Sequence, residues 1–289
     1  MNSASASFGD CAKGAHTRRI RSVVTILLTA LVAVGLMTPS GAAAADPPHD
    51  TTTYYLALGD SLAYGYPTGV GYAKYLTDTL RQSQPGIQLE NLGCPSETTD
   101  MMISGGGLCA ALYAEKYEGA TSQLDAALRF LDNHRGAVTY LTIDIGPNDV
   151  LPCIEGVAID AECVLRGLDA VRTNLPTIFG NLRDNLDGTT KTAGMTFYDP
   201  FTALWPYSQD VARQSVVILN GLNLIEAANY LHFGFRIARV AMAFQTNNFS
   251  INPSTGLPAN STKACLWTLM CPKPPSTAKP DIHPNPLGY

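Results

Sequence analysis

The chain is poor in charge. Only 15% of its 289 residues are Asp, Glu, Lys or Arg, and no Lys/Arg cluster follows the first 21 residues. That argues against nucleic acid and against anionic membrane surfaces as partners. The apolar run from Val23 to Met37 has 15 residues, fewer than the roughly 20 needed to span a bilayer. No Cys-x-x-Cys or close Cys/His set occurs, so a cysteine-based metal centre has no ligand spacing to build on. There is no internal repeat, no domain linker and no disorder signature.

The N-terminal residues differ from the rest. Arg18, Arg19 and Arg21 precede the Val23–Met37 run, which exits into Thr38-Pro39-Ser40-Gly41 and then four alanines, Ala42 to Ala45. A basic region, an apolar core and a small-residue exit make residues 1–45 a secretory signal peptide, with 46–289 a single mature domain. Removing Lys13, Arg18, Arg19, Arg21 and Asp10 from totals of 19 basic and 24 acidic residues leaves a formal charge of −8. Of seven cysteines, Cys11 lies in the leader, and the other six fall into local pairs. An even count in an exported chain predicts the disulfides Cys94–Cys109, Cys153–Cys163 and Cys265–Cys271. Closing a loop of roughly 15 residues is worth about 3 kcal/mol in the chain-entropy model.

Apolar and turn patterns predict strands at Tyr54–Leu58, Ile87–Leu92, Val138–Ile145, Met195–Tyr198 and Phe235–Phe244. Helices are predicted over Tyr72–Gln82, over the segment opened by Ser122 with Asp125 three residues on, over Asp160–Asp187 with a break or kink at Pro176, and over Gln209–Leu231 with an interruption at Gly221. Gly93 to Gly107 reads as a small-residue loop. Its Met101-Met102 and Gly105–Gly107 are either pocket lining or core filler and loop. Alternating strands and helices predict an α/β fold with a mostly parallel sheet covered on both faces.

Ser61 ends the first strand at Gly59-Asp60-Ser61-Leu62, Ser96 follows the second, and Asn148 follows the third in Gly146-Pro147-Asn148-Asp149. Functional loops of parallel sheets gather at these strand ends. A serine there has backbone N–H groups beside it to hold developing negative charge. The same tetrapeptide is also an ordinary turn with Asp60 or Ser61 as an N-cap. A serine nucleophile needs a base. His49, His134, His232 and His283 are the candidates, and His283, beside Asp281 in a Pro-bracketed irregular loop, is the choice by elimination.

Gly59-Asp60-Ser61-Leu62, Gly146-Pro147-Asn148-Asp149 and Asp281-Ile282-His283-Pro284, in this order across roughly 220 residues, resemble the blocks of the GDSL/SGNH hydrolase family. The likeness is to its secreted bacterial esterases and lipases with three disulfides. The resemblance implies a flavodoxin-like three-layer α/β/α sandwich and hydrolysis of lipid or short-acyl carboxylic esters. It implies Ser61 as nucleophile, His283 as base, and Ser61 N–H, Ser96 N–H and the Asn148 amide as the oxyanion hole. The partner is a small-molecule or lipid ester; no metal, organic cofactor or obligate protein partner is implied, and a secreted monomer is expected.

This sequence departs from the family pattern in three places. Ser96 stands where the family has a glycine, and it serves without cost unless its φ is positive; Gly93 is the alternative donor. Asp281 is two residues before His283 rather than three, so either Asp281 orients the base or a backbone carbonyl such as that of Pro280 does, leaving a dyad. Family chains continue into a final helix, which the six residues after His283 do not supply. Either the chain is a fragment or this protein truncates that helix; if the helix is missing, His283 is expected to be poorly anchored. Two other readings stay open: a carbohydrate O-deacetylase or acyltransferase on the same fold, and an inactive binding protein.

Overall fold

A computed structural model describes residues 52–272 and 277–289. The proposed leader, His49 and Cys11 lie outside the described residues. In chain order the strands are β1 (Thr53–Gly59), β2 (Ile87–Asn91), β3 (Val138–Asp144), β4 (Ile154–Glu155), β5 (Ala158–Ile159), β6 (Lys191–Met195), β7 (Arg236–Ala238), β8 (Thr268–Leu269) and β9 (Asp281–Pro284). The helices are α1 (Ser61–Tyr64), α2 (Tyr72–Leu80), α3 (Thr99–Ser104), α4 (Ala110–Lys116), α5 (Gln123–Asn133), α6 (Pro147–Val150), α7 (Ala161–Asn185), α8 (Gln209–His232), α9 (Val240–Ala243) and α10 (Ala259–Trp267).

Five strands form one parallel sheet in the order β2-β1-β3-β6-β7. Among these five the connectivity reverses between β1 and β3, the switch point at whose carboxyl side α/β sheets bind ligands. Alternation along the strands sorts the two faces. Leu56, Leu58, Leu141 and Ile143 join the main core with Leu124 and Phe130 of α5, Val171 and Phe179 of α7, and Leu219 and Leu222 of α8. Tyr55, Ala57 and Ile87 pack with Ala73 of α2 on the opposite face. The small antiparallel pairs β4–β5 and β8–β9 stand outside the sheet.

The elements differ from the sequence expectation where local pattern and packing conflict. The strand expected at Met195–Tyr198 lies earlier, at Lys191–Met195. Its Gly194 admits the Tyr230 ring, which would meet a Cβ at 2.2 Å, whereas bulky Phe197 and Tyr198 lie beyond the strand. The expected Phe235–Phe244 strand is only Arg236–Ala238, followed by the helical turn α9; a short apolar run does not distinguish the two. Helix α7 runs unbroken through Pro176, which lies on its exposed side, where a carbonyl that loses its N–H partner is cheapest to leave to solvent. Helix α8 likewise continues through Gly221. The small-residue loop contains α3, capped by the Thr98 side chain accepting from Met101 N, and Met102 is core filler. Ser122 caps α5 by accepting from Asp125 N, but Asp125 reaches back to Thr121 N rather than to Ser122.

The three disulfides Cys94–Cys109, Cys153–Cys163 and Cys265–Cys271 are present. Among the described residues no helix is long and apolar enough to cross a membrane.

Candidate active site

Strand β1 ends at Gly59 with φ +133°, and a Cβ there would meet the Asp144 carbonyl oxygen at 2.1 Å. Only glycine fits both demands. The chain then turns into α1, whose N-cap is Asp60: its Oδ1 accepts from Leu62 N at 2.9 Å. Capping therefore falls to Asp60, and Ser61 is left at the first helical position. Its Oγ lies 2.8 Å from His283 Nε2. His283 Nδ1 lies 2.5 Å from Asp281 Oδ1, which also accepts from His283 N at 2.9 Å.

The segment that carries His283 is a strand, not an irregular loop. Residues i and i+2 of a strand share a face, so a two-residue spacing lets Asp281 reach Nδ1, and the Pro280 carbonyl is not the partner. Nor is His283 loosely held. Tyr198 Oη donates to Ile282 O at 2.6 Å, β9 pairs with β8, and Asn285 Nδ2 donates to Leu266 O at 2.8 Å. The Tyr66 ring lies 4.5 Å from the imidazole, centroid to centroid. The other described histidines are elsewhere. His134 caps α5 with Nδ1 against Phe130 O, and His232 ends α8.

Asn148 sits in α6, beyond β3. Its Nδ2 donates to Glu97 O at 2.9 Å and, at 3.4 Å, to Asp60 Oδ2. Both neighbours are acceptors, which fixes the amide orientation. The adjacent Asp149 accepts from Thr99 N at 2.9 Å and Thr99 Oγ1 at 2.7 Å, tying the loop after β2 to the turn after β3. Ser61, Asn148 and His283 line one small cavity of about 10 Å³ with Asp60, Leu62, Leu151, Phe197, Tyr198 and Ile282. Ser96 is not among the lining residues; it lies next to Glu97, and its φ is +64°. The left-handed conformation does arise there, at a cost of roughly 1–2 kcal/mol for a non-glycine residue. Among the described residues the N–H groups of Ser61 and Ser96 have no acceptor. Gly93 is not an alternative donor. Its N–H goes to Asn91 Oδ1 at 2.9 Å, and it is buried against α1.

Carboxyls crowd beneath the site. Asp60 and Asp144 are 2% and 3% exposed. Burial raises the pKa of both, and the negative charge of Asp60 raises Asp144 further. Tyr72 Oη donates to Asp144 Oδ1 at 2.6 Å, and Ala63 N donates to Oδ2 at 3.3 Å. Burial, assisted by the Asp60 charge, pushes the Glu97 carboxyl up to about 7.

Residues 55–289 match the family model of the GDSL-like lipases and acylhydrolases. The chain belongs to that family. The extracellular lipase of Streptomyces rimosus is similar over 80% of this chain and 92% of its own, at 16% identity and a TM-score of 0.51. Phospholipase A1 from Streptomyces albidoflavus is similar over 82% and 94%, at 13% identity and a TM-score of 0.47. The likeness to the Streptomyces rimosus lipase concerns the fold, the three-layer α/β/α sandwich of SGNH hydrolases. No curated protein matches the chain.

Some residues that shape the site of this GDSL-like chain escape a sequence reading. Gln123, fully buried at the start of α5, accepts from Gly59 N at 2.7 Å and donates to Gly59 O at 2.9 Å. Asn223 of α8 does the same for Phe197, accepting from its N at 2.6 Å and donating to its O at 2.9 Å. Polar positions on the buried side of amphipathic helices were the available signal, but their partners are 64 and 26 residues away.

Proposed function

We propose that this protein is a serine hydrolase of carboxylic esters that works through an acyl-enzyme on Ser61. The observation that carries the reading is His283 bridging Ser61 Oγ and Asp281 Oδ1 through its two ring nitrogens. As Oγ attacks the ester carbonyl carbon, its proton passes to His283 Nε2, and the carbonyl electron pair moves onto oxygen. Asp281 holds the ring with Nε2 facing Ser61 and stabilises the imidazolium. The oxyanion is received by the Ser61 and Ser96 N–H groups and by Asn148 Nδ2, whose longer bond, to Asp60, is the one to be given up. Collapse breaks the bond to the alkoxy oxygen, which leaves as alcohol with the proton from His283. Water then attacks the acyl carbon, giving a proton to His283; the bond from that carbon to Ser61 Oγ breaks, His283 returns the proton to Oγ, and the acid is released.

The exported character of the chain, with residues 1–45 removed as a signal peptide and 46–289 acting as one monomeric domain, belongs to the same proposal. The N-terminal pattern and the three disulfides support it. The test is labelling by a fluorophosphonate together with turnover of p-nitrophenyl acetate. Wild type should label at Ser61 and turn over, and Ser61→Ala should do neither while melting as a folded protein. A wild-type protein that neither labels nor turns over is a binding protein, and the proposal fails.

A further inference from the structure

A second concavity is walled by Thr196, the residue before Phe197 of the Ser61 cavity. It has a volume of about 540 Å³, within the range of ligand pockets, roughly 300–1,000 Å³. One wall is α8, through Asn220 and Asn223; the other is the chain from Arg239 to Asn248, with Gln245 and Asn247. Five of its lining side chains are carboxamides, one is a cation, and none is a carboxylate.

The hydrogen-bonding capacity of this cleft is only partly spent. Asn220 and Asn247 exchange one bond each way across it, at 2.7 and 3.3 Å. Each carboxamide has two N–H donors and two lone pairs, so one donor and one acceptor remain on each. Gln245 Oε1 accepts from Asn248 Nδ2 at 3.2 Å, and its own amide nitrogen is unused among the described residues. Among the described residues Arg239 makes no ion pair or side-chain hydrogen bond. Thr246, 2% exposed, has a buried hydroxyl oxygen with no partner among the described residues. Met242, 65% exposed, adds an apolar plate.

We infer that this cleft is a saccharide subsite and that the ester cleaved at Ser61 is an O-acyl group on a carbohydrate. The inference rests on the hydrolase reading above. An apolar chain laid here would strip water from amide groups without replacing their bonds, at about 1–3 kcal/mol per buried group. An anionic ligand would find a single cation. A sugar hydroxyl both donates and accepts, and neighbouring hydroxyls pair with the N–H and C=O of one carboxamide.

The cleft is also well placed for this. Thr196 lines it, and Phe197 and Tyr198, the next two residues, line the Ser61 cavity. Consecutive residues thus wall the two sites. Asn223, a cleft residue, holds the Phe197 backbone at both its N–H and its C=O.

The test compares a partially O-acetylated cello-oligosaccharide with p-nitrophenyl acetate, in wild type and in Arg239→Ala, Asn247→Ala and the double variant. The ratio of kcat/KM on the saccharide ester to that on the aryl ester should fall at least tenfold in the double variant, through KM. An unchanged ratio overturns the subsite. If wild type hydrolyses neither ester, the hydrolase reading fails rather than the cleft. Calorimetric binding of the unacetylated oligosaccharide to Ser61→Ala, with and without the two cleft substitutions, then decides. Binding that the substitutions abolish supports the subsite, and no binding, or binding they leave intact, overturns it.

Discussion

The side-chain carboxamide of Gln123 is bonded to both main-chain groups of Gly59, two residues before Ser61. Helix α5 thereby grips the end of β1 at the point where the turn to the candidate nucleophile begins. Gln123→Leu keeps the volume but leaves the buried Gly59 N–H without its acceptor. The expected loss is about 1–3 kcal/mol, read as a lower melting temperature at roughly 2–4 °C per kcal/mol for a domain of this size. Turnover of p-nitrophenyl acetate should fall as well, because the Ser61 turn is no longer fixed. An unchanged melting temperature would show the clamp to be idle.

Ser96 sits at φ +64° and is exposed. Ser96→Gly should stabilise the protein by about 1 kcal/mol, since glycine adopts this conformation without Cβ strain. Because the backbone N–H is kept, turnover should persist. A chemical denaturation midpoint that does not rise would contradict the strain, and a collapse in kcat would give the Ser96 hydroxyl a part in the reaction.

Asp281→Asn separates a triad from a dyad. Asparagine can still meet the His283 main-chain N–H, but it does not stabilise imidazolium and can invert the tautomer. A loss of about 10⁴ in kcat is the expectation, by analogy with the serine-protease template, with a fluorophosphonate reaction rate reduced in parallel. Near-normal kcat removes Asp281 from the mechanism.

Buried acids set the pH dependence of stability. Burial pushes Glu97 and Asp199 up to about 7, above their unfolded values near 4. Between those limits the folded state holds more protons than the unfolded state, so this contribution to stability is lost as pH rises from about 4 to 7. Glu97→Gln removes the ionisation. Its melting temperature should exceed that of wild type by several degrees at pH 8 and match it near pH 4–5. A gain of the same size at both pH values would refute the electrostatic origin.

Much of the candidate site was legible because it is written in strand ends. Gly59-Asp60-Ser61 and Gly146-Pro147-Asn148 follow the two strands at the switch point, and residues after a buried parallel strand reach one edge of the sheet whatever packs elsewhere. Less legible were β6 and β7. Small residues in β6 answer to the close approach of Tyr230, a demand made by a side chain 36 positions from Gly194. The second layer of polar contacts was invisible for the same reason: Gln123 to Gly59, Asp149 to Thr99 and Asn223 to Phe197 are bonds between segments far apart in the chain.

By itself the sequence determined the alternation of strands and helices, the local cysteine pairs and the serine, asparagine and histidine expected at the site, since each rests on local pattern or short spacing. Only the tertiary structure decided what orients His283, which backbone N–H groups are left unspent, and that an amide-lined cleft opens between α8 and the Arg239–Asn248 segment. Those depend on the direction of β9, on the φ of Ser96 and on α8 facing the Arg239–Asn248 segment. Each is settled by packing between parts of the chain that local sequence does not connect.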